Sequence, residues 1–335
     1  MLGKEDAPED YRVRVSAPAH LHIGNYELSY AFGRILGTIG VTIAYPRTTV
    51  VACPSSKLAY SGPERQIAER VLEALNAGSA DIKVESAIPV GVGLGGTTAL
   101  ALSLAIALAG LRGEGLQRGD IERIARELER GTWSALGVYS IMYGGLVVDS
   151  GRRGSSPPKL LARIPLPSTW RVLVVILKGH RNRIRELKRR EDEILRNLKP
   201  ASEDFTSRLA HRALSGILSC AAEGDLACFL KASFEFNRVL GDYWREHGQE
   251  HAYCCEEALE AVRVLEECCG SPLIQSSWGP ALWTLAGSLE SAARMRDAVL
   301  EWARARGIEL EVFLTRPDNT GATAEPGDVI GWRCA

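Results

Sequence analysis

Apolar and polar residues follow two different periods along this chain, and the change from one to the other divides it. Between Arg12 and Ser86 the apolar runs are short and rich in β-branched residues, at Arg12–Ala17, Gly37–Ala44, Thr48–Cys53 and Asp81–Ser86. Such runs suit pleated, half-buried strands. Pro46 stands between the second and third as a turn signal and predicts that those two runs pair with each other. Ala68–Leu75 repeats at helical spacing, and Thr97–Leu111 is apolar on almost every face, which predicts a helix buried on most sides.

The helical period takes over further along. Arg118–Gly131, with Asp120 as a cap and Ile121, Ile124, Ala125 and Leu128 in register, predicts another helix, and glycine-rich Tyr143–Asp149 a strand. Gly151-Arg-Arg-Gly-Ser-Ser-Pro-Pro158 interrupts both periods and is the most linker-like segment, so the expected domains are 1–155 and 156–335. Beyond it, Trp170–Leu177 is a continuous apolar strand. Helices are expected over Arg185–Leu198, Phe205–Ala222, Asp225–Val239, the stretch holding Cys254 to Leu265, and Arg296–Arg306, with a strand at Glu309–Thr315. The fold class is α+β. Residues 1–10 are polar and aperiodic and suggest a loose leader.

Composition narrows the function. A length of 335 residues with 46% hydrophobic content suits two domains or one large one with ample core. Forty basic against 41 acidic residues leave a net charge of −1, which argues against nucleic acid or an anionic membrane as the main partner. No charged start leads into an apolar run, and Ala99–Leu111 is too short to span a bilayer, so a cytoplasmic protein is expected. Eight cysteines include the vicinal pairs Cys254-Cys255 and Cys268-Cys269 without any C-x-x-C. Neighbours on a helix point about 100° apart, so buried free thiols are expected in place of a zinc cluster, with a Cys220–Cys228 disulfide as a further option.

The densest chemistry lies in Ile88-Pro-Val-Gly-Val-Gly-Leu-Gly-Gly-Thr-Thr-Ala-Leu100. Gly91, Gly93, Gly95 and Gly96 allow main-chain N–H groups to turn inward, and Thr97 and Thr98 add hydroxyl donors at the positive end of the following helix. The stretch is an anion cradle suited to phosphate or pyrophosphate; a tight strand-to-helix packing point is the plainer alternative. It is neither a Walker loop, lacking the lysine, nor a dinucleotide fingerprint, since the acid at suitable distance, Glu114, sits in a polar turn. His20 and His22 alternate within Ala19–Ile23 and share a face, where they serve either as hydrogen-bonded structural groups or as phosphate donors. Lys178, His180, Arg181 and Arg183 follow a strand end, and Arg316 and Asp318 follow another; both sets are either solvated faces or ligand contacts.

Pro89 with Gly93-Leu-Gly-Gly-Thr-Thr-Ala99 resembles the P-x-x-x-G-L-[GS]-S-[ST]-A loop of the GHMP kinase superfamily. Ser16-Ala-Pro-Ala-His-Leu-His-Ile-Gly24, Ser134-Ala-Leu-Gly-Val-Tyr-Ser140 with Gly144-Gly145, and Gln275-Ser-Ser-Trp-Gly-Pro280 add to the resemblance in matching order. Within the superfamily, A-P-x-x-L-H near the start and S-S-W-G-P near the end are similar to the β-ribofuranosylaminobenzene 5′-phosphate synthases of archaeal pterin biosynthesis. The resemblance implies a GHMP-kinase-like two-domain fold, a ribosomal protein S5 domain 2-like N-terminal domain and an α/β sandwich C-terminal domain, with substrates between them. It implies a decarboxylating phosphoribosyl transfer from phosphoribosyl pyrophosphate to 4-aminobenzoate, with magnesium and no organic cofactor.

The residues carried over are His22, Arg34 and Ser277, which would position phosphate or carboxylate, and Asn25, Ser134, Trp278 and Gly279 for substrate binding. Trp278 would cover an aromatic acceptor or a ribose, or else be a buried anchor. Glu27 would hold magnesium, near where the family usually has Asp. Superfamily kinases commonly carry S-G-x-D where this chain has Ser134-Ala-Leu-Gly137. Glycine supplies no carboxylate to deprotonate an acceptor hydroxyl, which points away from kinase chemistry. An ATP-dependent kinase of mevalonate-, homoserine- or sugar-type substrates remains the alternative, and a non-catalytic ligand sensor a third. A homodimer is an expectation that the residues themselves do not decide.

Overall fold

Strand β1 is buried on both faces through most of its length, with Val15, Ala17, Ala19 and Leu21 on one side and Ser16, Pro18 and His20 between them on the other. The computed structural model describes residues 12–113, 118–180, 182, 186–187, 189–249 and 251–326; the loose leader, Glu114, Arg181 and Arg183 lie outside them. In chain order the first elements are β1 (Val13–Glu27), β2 (Gly37–Cys53), β3 (Leu58–Ser61), α1 (Arg65–Ala74), β4 (Ala80–Ser86), α2 (Gly96–Leu111), α3 (Arg118–Glu127), α4 (Leu136–Tyr143), β5 (Leu146–Asp149) and β6 (Leu160–Ile164). There follow β7 (Arg171–Leu177), α5 (Glu191–Arg196), α6 (Glu203–His211), a π-helical turn at Arg212–Leu218, α7 (Ser219–Glu223), α8 (Leu226–Arg245), α9 (Glu256–Cys269) and β8 (Ile274–Gln275). The chain closes with β9 (Ala281–Ala286), α10 (Leu289–Arg306), β10 (Leu310–Thr315) and β11 (Thr323–Pro326).

Two sheets organise these elements into an α+β fold. The first has seven strands in the order β11-β1-β2-β4-β3, with β5 pairing a second stretch of β2 and β6 pairing β5. The second has the order β10-β7-β9-β8 and is antiparallel throughout. Helix α2 is buried along nearly its whole length, as its all-round apolar pattern requires. The main core is continuous from Val13 and Val15 of β1 to Trp283 and Leu285 of β9, so both sheets share it. No helix among the described residues is long and apolar enough to cross a membrane.

Three expectations change. Gly37–Ala44 and Thr48–Cys53 do not pair with each other; they are one strand, both halves pairing with β1. Pro46 sits in a bulge between the pairs Ala19–Ile43 and Pro18–Arg47, where a residue without an N–H costs no ladder bond. Nearby, the Ala44 N–H donates to Arg316 O at 2.9 Å and the Tyr45 N–H to Thr315 Oγ1 at 3.0 Å, fastening the bulge to the chain after β10. Next, Gly151–Pro158 is the connection of the β5–β6 hairpin and not a linker: Leu146 and Val147 pair with Ile164 and Arg163, so the first sheet extends past the boundary expected at residue 155. Finally, of the vicinal cysteines expected as buried free thiols, Cys254 and Cys255 are free and buried but Cys268 is exposed; the disulfide offered as a further option does join Cys220 to Cys228.

Candidate active site

Three stretches far apart in sequence meet where α2 begins. Gly95 occupies the cap position in the left-handed region, with φ 76° and ψ 18°; no side chain caps the helix and no acid lies in its first turn. The N–H groups of that turn therefore face outward at the positive end of the helix with no carboxylate competing for them. Gly91 and Gly93 also have positive φ, and Gly96, Thr97 and Thr98 open the helix. The bend is held from below. A Cβ on Gly95 would overlap the His20 imidazole, and one on Gly93 would overlap the Ser276 carbonyl.

Ser276 joins the three stretches. Its hydroxyl accepts from the His22 N–H at 2.9 Å and donates to Gly93 O at 2.6 Å. The Ala281 N–H donates to Val92 O at 3.2 Å, and the His20 N–H to Leu94 O at 3.3 Å. From the same β8–β9 hairpin, the Trp283 indole donates to His22 O at 3.1 Å; the Asn237 amide donates to Ile23 O at 2.9 Å while its oxygen accepts from the Gln275 N–H at 3.1 Å. His22 is thus fixed through both of its main-chain groups. His20 is buried and His22 half-buried, with ring centroids 5.4 Å apart. The site where a Cβ of residue 137 would lie is 2.9 Å from His20 Cε1 and 3.3 Å from Thr98 Cγ2. Gly137 is therefore not a vacancy awaiting an acid, because His20 and Thr98 fill the space that a side chain would need.

The motif near residue 277 forms a strand-to-strand turn. Ser277 sits in the turn of the β8–β9 hairpin at φ 56°, its carbonyl accepting from Gln275 Nε2 at 2.9 Å. Trp278 is 6% exposed, donates from Nε1 to Glu191 at 2.9 Å and meets the Trp244 ring edge-on at 5.0 Å. It is the buried anchor of the two alternatives, packed with Trp244 in a cluster that also holds Tyr253, Leu273 and Leu282, and is not offered to a ligand. Gly279, at φ 77°, lies against Cys254, whose Sγ would be 2.8 Å from a Cβ there.

Asn25, Glu27, Arg34 and Ser134 group around the other end of β1. Asn25 Nδ2 donates to Thr38 Oγ1 at 3.1 Å, Arg34 reaches Ser150 Oγ at 3.4 Å, and Ser134 Oγ donates to Asp149 at 3.3 Å. Glu27 Oε1 accepts from Ser29 N at 2.9 Å, Ser29 Oγ at 2.8 Å and Tyr30 N at 3.2 Å. A carboxylate committed to three donors of its own turn fits a loop staple; these residues do not fit a resident magnesium ion.

Asp149 was not singled out from the sequence. It is fully buried, its Oδ1 accepting from Thr38 N and Gly151 N at 3.0 Å and its Oδ2 from Ala135 N at 2.8 Å. Burial pushes this carboxyl up to about 6, against the pull of those hydrogen bonds. An acid ending the apolar run Leu146-Val-Val is the signal that was available. Of the two outlying sets, Lys178 and Arg316 are exposed, His180 pairs with Glu257 at 3.1 Å, and Asp318 forms an ion pair with Arg47 at 2.7 Å. Asp318 is a structural clamp, since its other oxygen accepts from the Thr320 and Gly321 N–H groups.

Residues 64–145 match the GHMP kinases N terminal domain. Over 333 residues the chain is 25% identical to the β-ribofuranosylphenol 5′-phosphate synthase of Archaeoglobus fulgidus, covering 93% of this chain and 99% of that one. It is 26% identical over 316 residues to the enzyme of the same name from Methanothermobacter thermautotrophicus, covering 86% and 92%. Its fold matches the crystal structure of homoserine kinase from Cytophaga hutchinsonii with a TM-score of 0.62 and 17% identity, over 97% of this chain and all of that one. Residues 64–145 thus carry the match to the GHMP kinases N terminal domain, and the chain has the GHMP-kinase-like fold of these neighbours.

Proposed function

We propose that this chain is a β-ribofuranosylphenol (or aminobenzene) 5′-phosphate synthase, joining the ribose carbon of phosphoribosyl pyrophosphate to the ring of a para-substituted benzoate with release of pyrophosphate and carbon dioxide. The observation that carries the reading is the anion seat at Gly93–Thr98, braced by His20 and Ser276, beside a Gly137 that leaves no room for a carboxylate. A phosphate seat without an acid suits a transfer in which no acceptor hydroxyl has to be deprotonated. In that transfer, pyrophosphate leaves with the electron pair of its bond to C1 of the ribose, and the ring carbon bearing the carboxylate bonds to C1. The pair from the broken carbon–carboxylate bond then restores aromaticity. A para amino or hydroxyl group can each absorb the transient positive charge. The named product of the relatives is a phenol, which adds 4-hydroxybenzoate to the 4-aminobenzoate implied by the motifs.

The chain's own groups would act by charge and position. Main-chain N–H groups at the start of α2, with the Thr97 and Thr98 hydroxyls, would hold the pyrophosphate, taken as its magnesium complex, and stabilise the charge that grows on it as it departs. His22 would donate to a phosphate oxygen, with His20 holding the bend from beneath. Arg34 and the Ser277 hydroxyl would meet the 5′-phosphate or the carboxylate. The substrates would be small diffusible molecules of the cytoplasm.

Incubation with phosphoribosyl pyrophosphate, magnesium and carboxyl-labelled 4-hydroxybenzoate or 4-aminobenzoate tests it. Label should leave as gas with one pyrophosphate per turnover. Retained label beside ATP consumption with homoserine, mevalonate or a sugar would replace this reading with a kinase.

A further inference from the structure

We infer that His180, Cys255 and Glu257 form a binding site for one thiophilic divalent cation of the zinc type. His180 ends the turn that follows β7, Cys255 is the residue just before α9, and Glu257 lies in the first turn of that helix. His180 Nε2 is 3.1 Å from Glu257 Oε2, and one donor atom from each of the three side chains lies within 4.8 Å of the other two. At tetrahedral angles a nitrogen and a sulfur bound to one zinc at about 2.0 and 2.3 Å sit about 3.5 Å apart, so the widest pair has up to about 1.3 Å to close, within reach of side-chain rotation. The backbone at Cys255 is extended, with φ −163° and ψ 170°, and the residue occupies the cap position of α9, one turn or less from Glu257.

The donor set decides the kind of ion. One imidazole, one thiolate and one carboxylate suit zinc and its softer neighbours, whereas magnesium and calcium require oxygen ligands. Cys255 is 2% exposed, while the His180 and Glu257 side chains are 24% and 39% exposed. The sulfur thus forms the floor of the site, and the solvent side keeps a fourth position for water. The site also bears on the hairpin described above. Cys254, the neighbour of Cys255, donates its N–H to Gln275 Oε1 and packs behind Gly279. A cation on Cys255 would fasten the end of β7 to the loop that supports the Ser277–Gly279 turn.

Cobalt titration of the full-length protein, first stripped with a chelator, tests the inference independently of any activity. One equivalent should bind with a thiolate-to-cobalt charge-transfer absorption that zinc displaces. The absorption should vanish in Cys255→Ser and survive in the double variant Cys268→Ser/Cys269→Ser. His180→Ala and Glu257→Gln, at solvent-facing positions, should each weaken zinc at least about tenfold, since even groups that only orient a ligand cost that much. If Cys255→Ser does not fold, these two variants decide the matter through zinc affinity alone. A folded wild type without the charge-transfer band, a band that persists in Cys255→Ser, or unchanged zinc affinity in both other variants overturns the inference.

Discussion

Gly95 has space for a hydrogen and nothing larger, because the His20 ring lies where a methyl group would go. Gly95→Ala should therefore displace His20 and the bend together, and misplacement of this order costs roughly a hundredfold in turnover. The left-handed backbone adds only about 1–2 kcal/mol of strain, so the variant should still fold. Label release together with a thermal melt checks both halves of the expectation, and full turnover in a folded Gly95→Ala protein would remove the cradle from the mechanism. Ser276→Ala leaves the His22 N–H without its acceptor and Gly93 O without its donor, at a cost of about 1–3 kcal/mol. Urea titration measures that loss, and a raised KM for phosphoribosyl pyrophosphate should accompany it. At this scale the glycines and His22 were legible, because small residues and hydroxyls crowd one short stretch and the histidine falls on a recognisable motif. Ser276 and Trp278 were not. Two adjacent serines differ only in how the β8–β9 turn faces them, and an indole is the same residue whether it covers a substrate or, as here, abuts Trp244.

Among the elements, α4 depends on Asp149, which accepts from Ala135 N at the helix entrance and also binds β2 through Thr38 N. The folded carboxyl holds its proton up to about pH 6, whereas the ordinary unfolded value is 3.8. Between those values the native state binds the proton and the unfolded chain does not, so this group's contribution is greatest below pH 4 and is lost as pH rises through 6. Asp149→Asn should flatten that part of the stability profile. It should also cost about 1–3 kcal/mol at neutral pH, since its amide nitrogen would face the donors of one carboxylate oxygen; denaturant melts from pH 4 to 8 measure both effects. The disulfide between Cys220 and Cys228 closes a short loop between α7 and α8, and its removal should cost roughly 2–3 kcal/mol. A Cys220→Ala/Cys228→Ala variant that melts with the wild type would contradict this. Element type was legible wherever the period was strong, as in α2 and β7. Joining was harder to foresee: Pro46 has the same local signature in a turn as in a bulge, and Gly151–Pro158 has the composition of a linker while closing a hairpin whose second strand cannot be placed without its partner.

On the scale of the whole molecule, the two sheets share one core, and strands from late in the chain complete the first of them. The chain should unfold in a single calorimetric transition, and fragments 1–155 and 156–335 should not fold separately, since the first lacks β6 and β11. Two resolved transitions, or a soluble, cooperatively melting 1–155 fragment, would contradict that expectation. Strand β11 pairs Thr323–Pro326 with Val13–Ser16, so one flank of β1 is closed by residues synthesised long after β1 itself. While the ribosome is still at work, that flank stands open as a row of unpaired amides and carbonyls able to recruit a neighbouring nascent chain. Messages truncated just before codon 323 should accordingly yield aggregates, and recovery should return once four more residues are encoded.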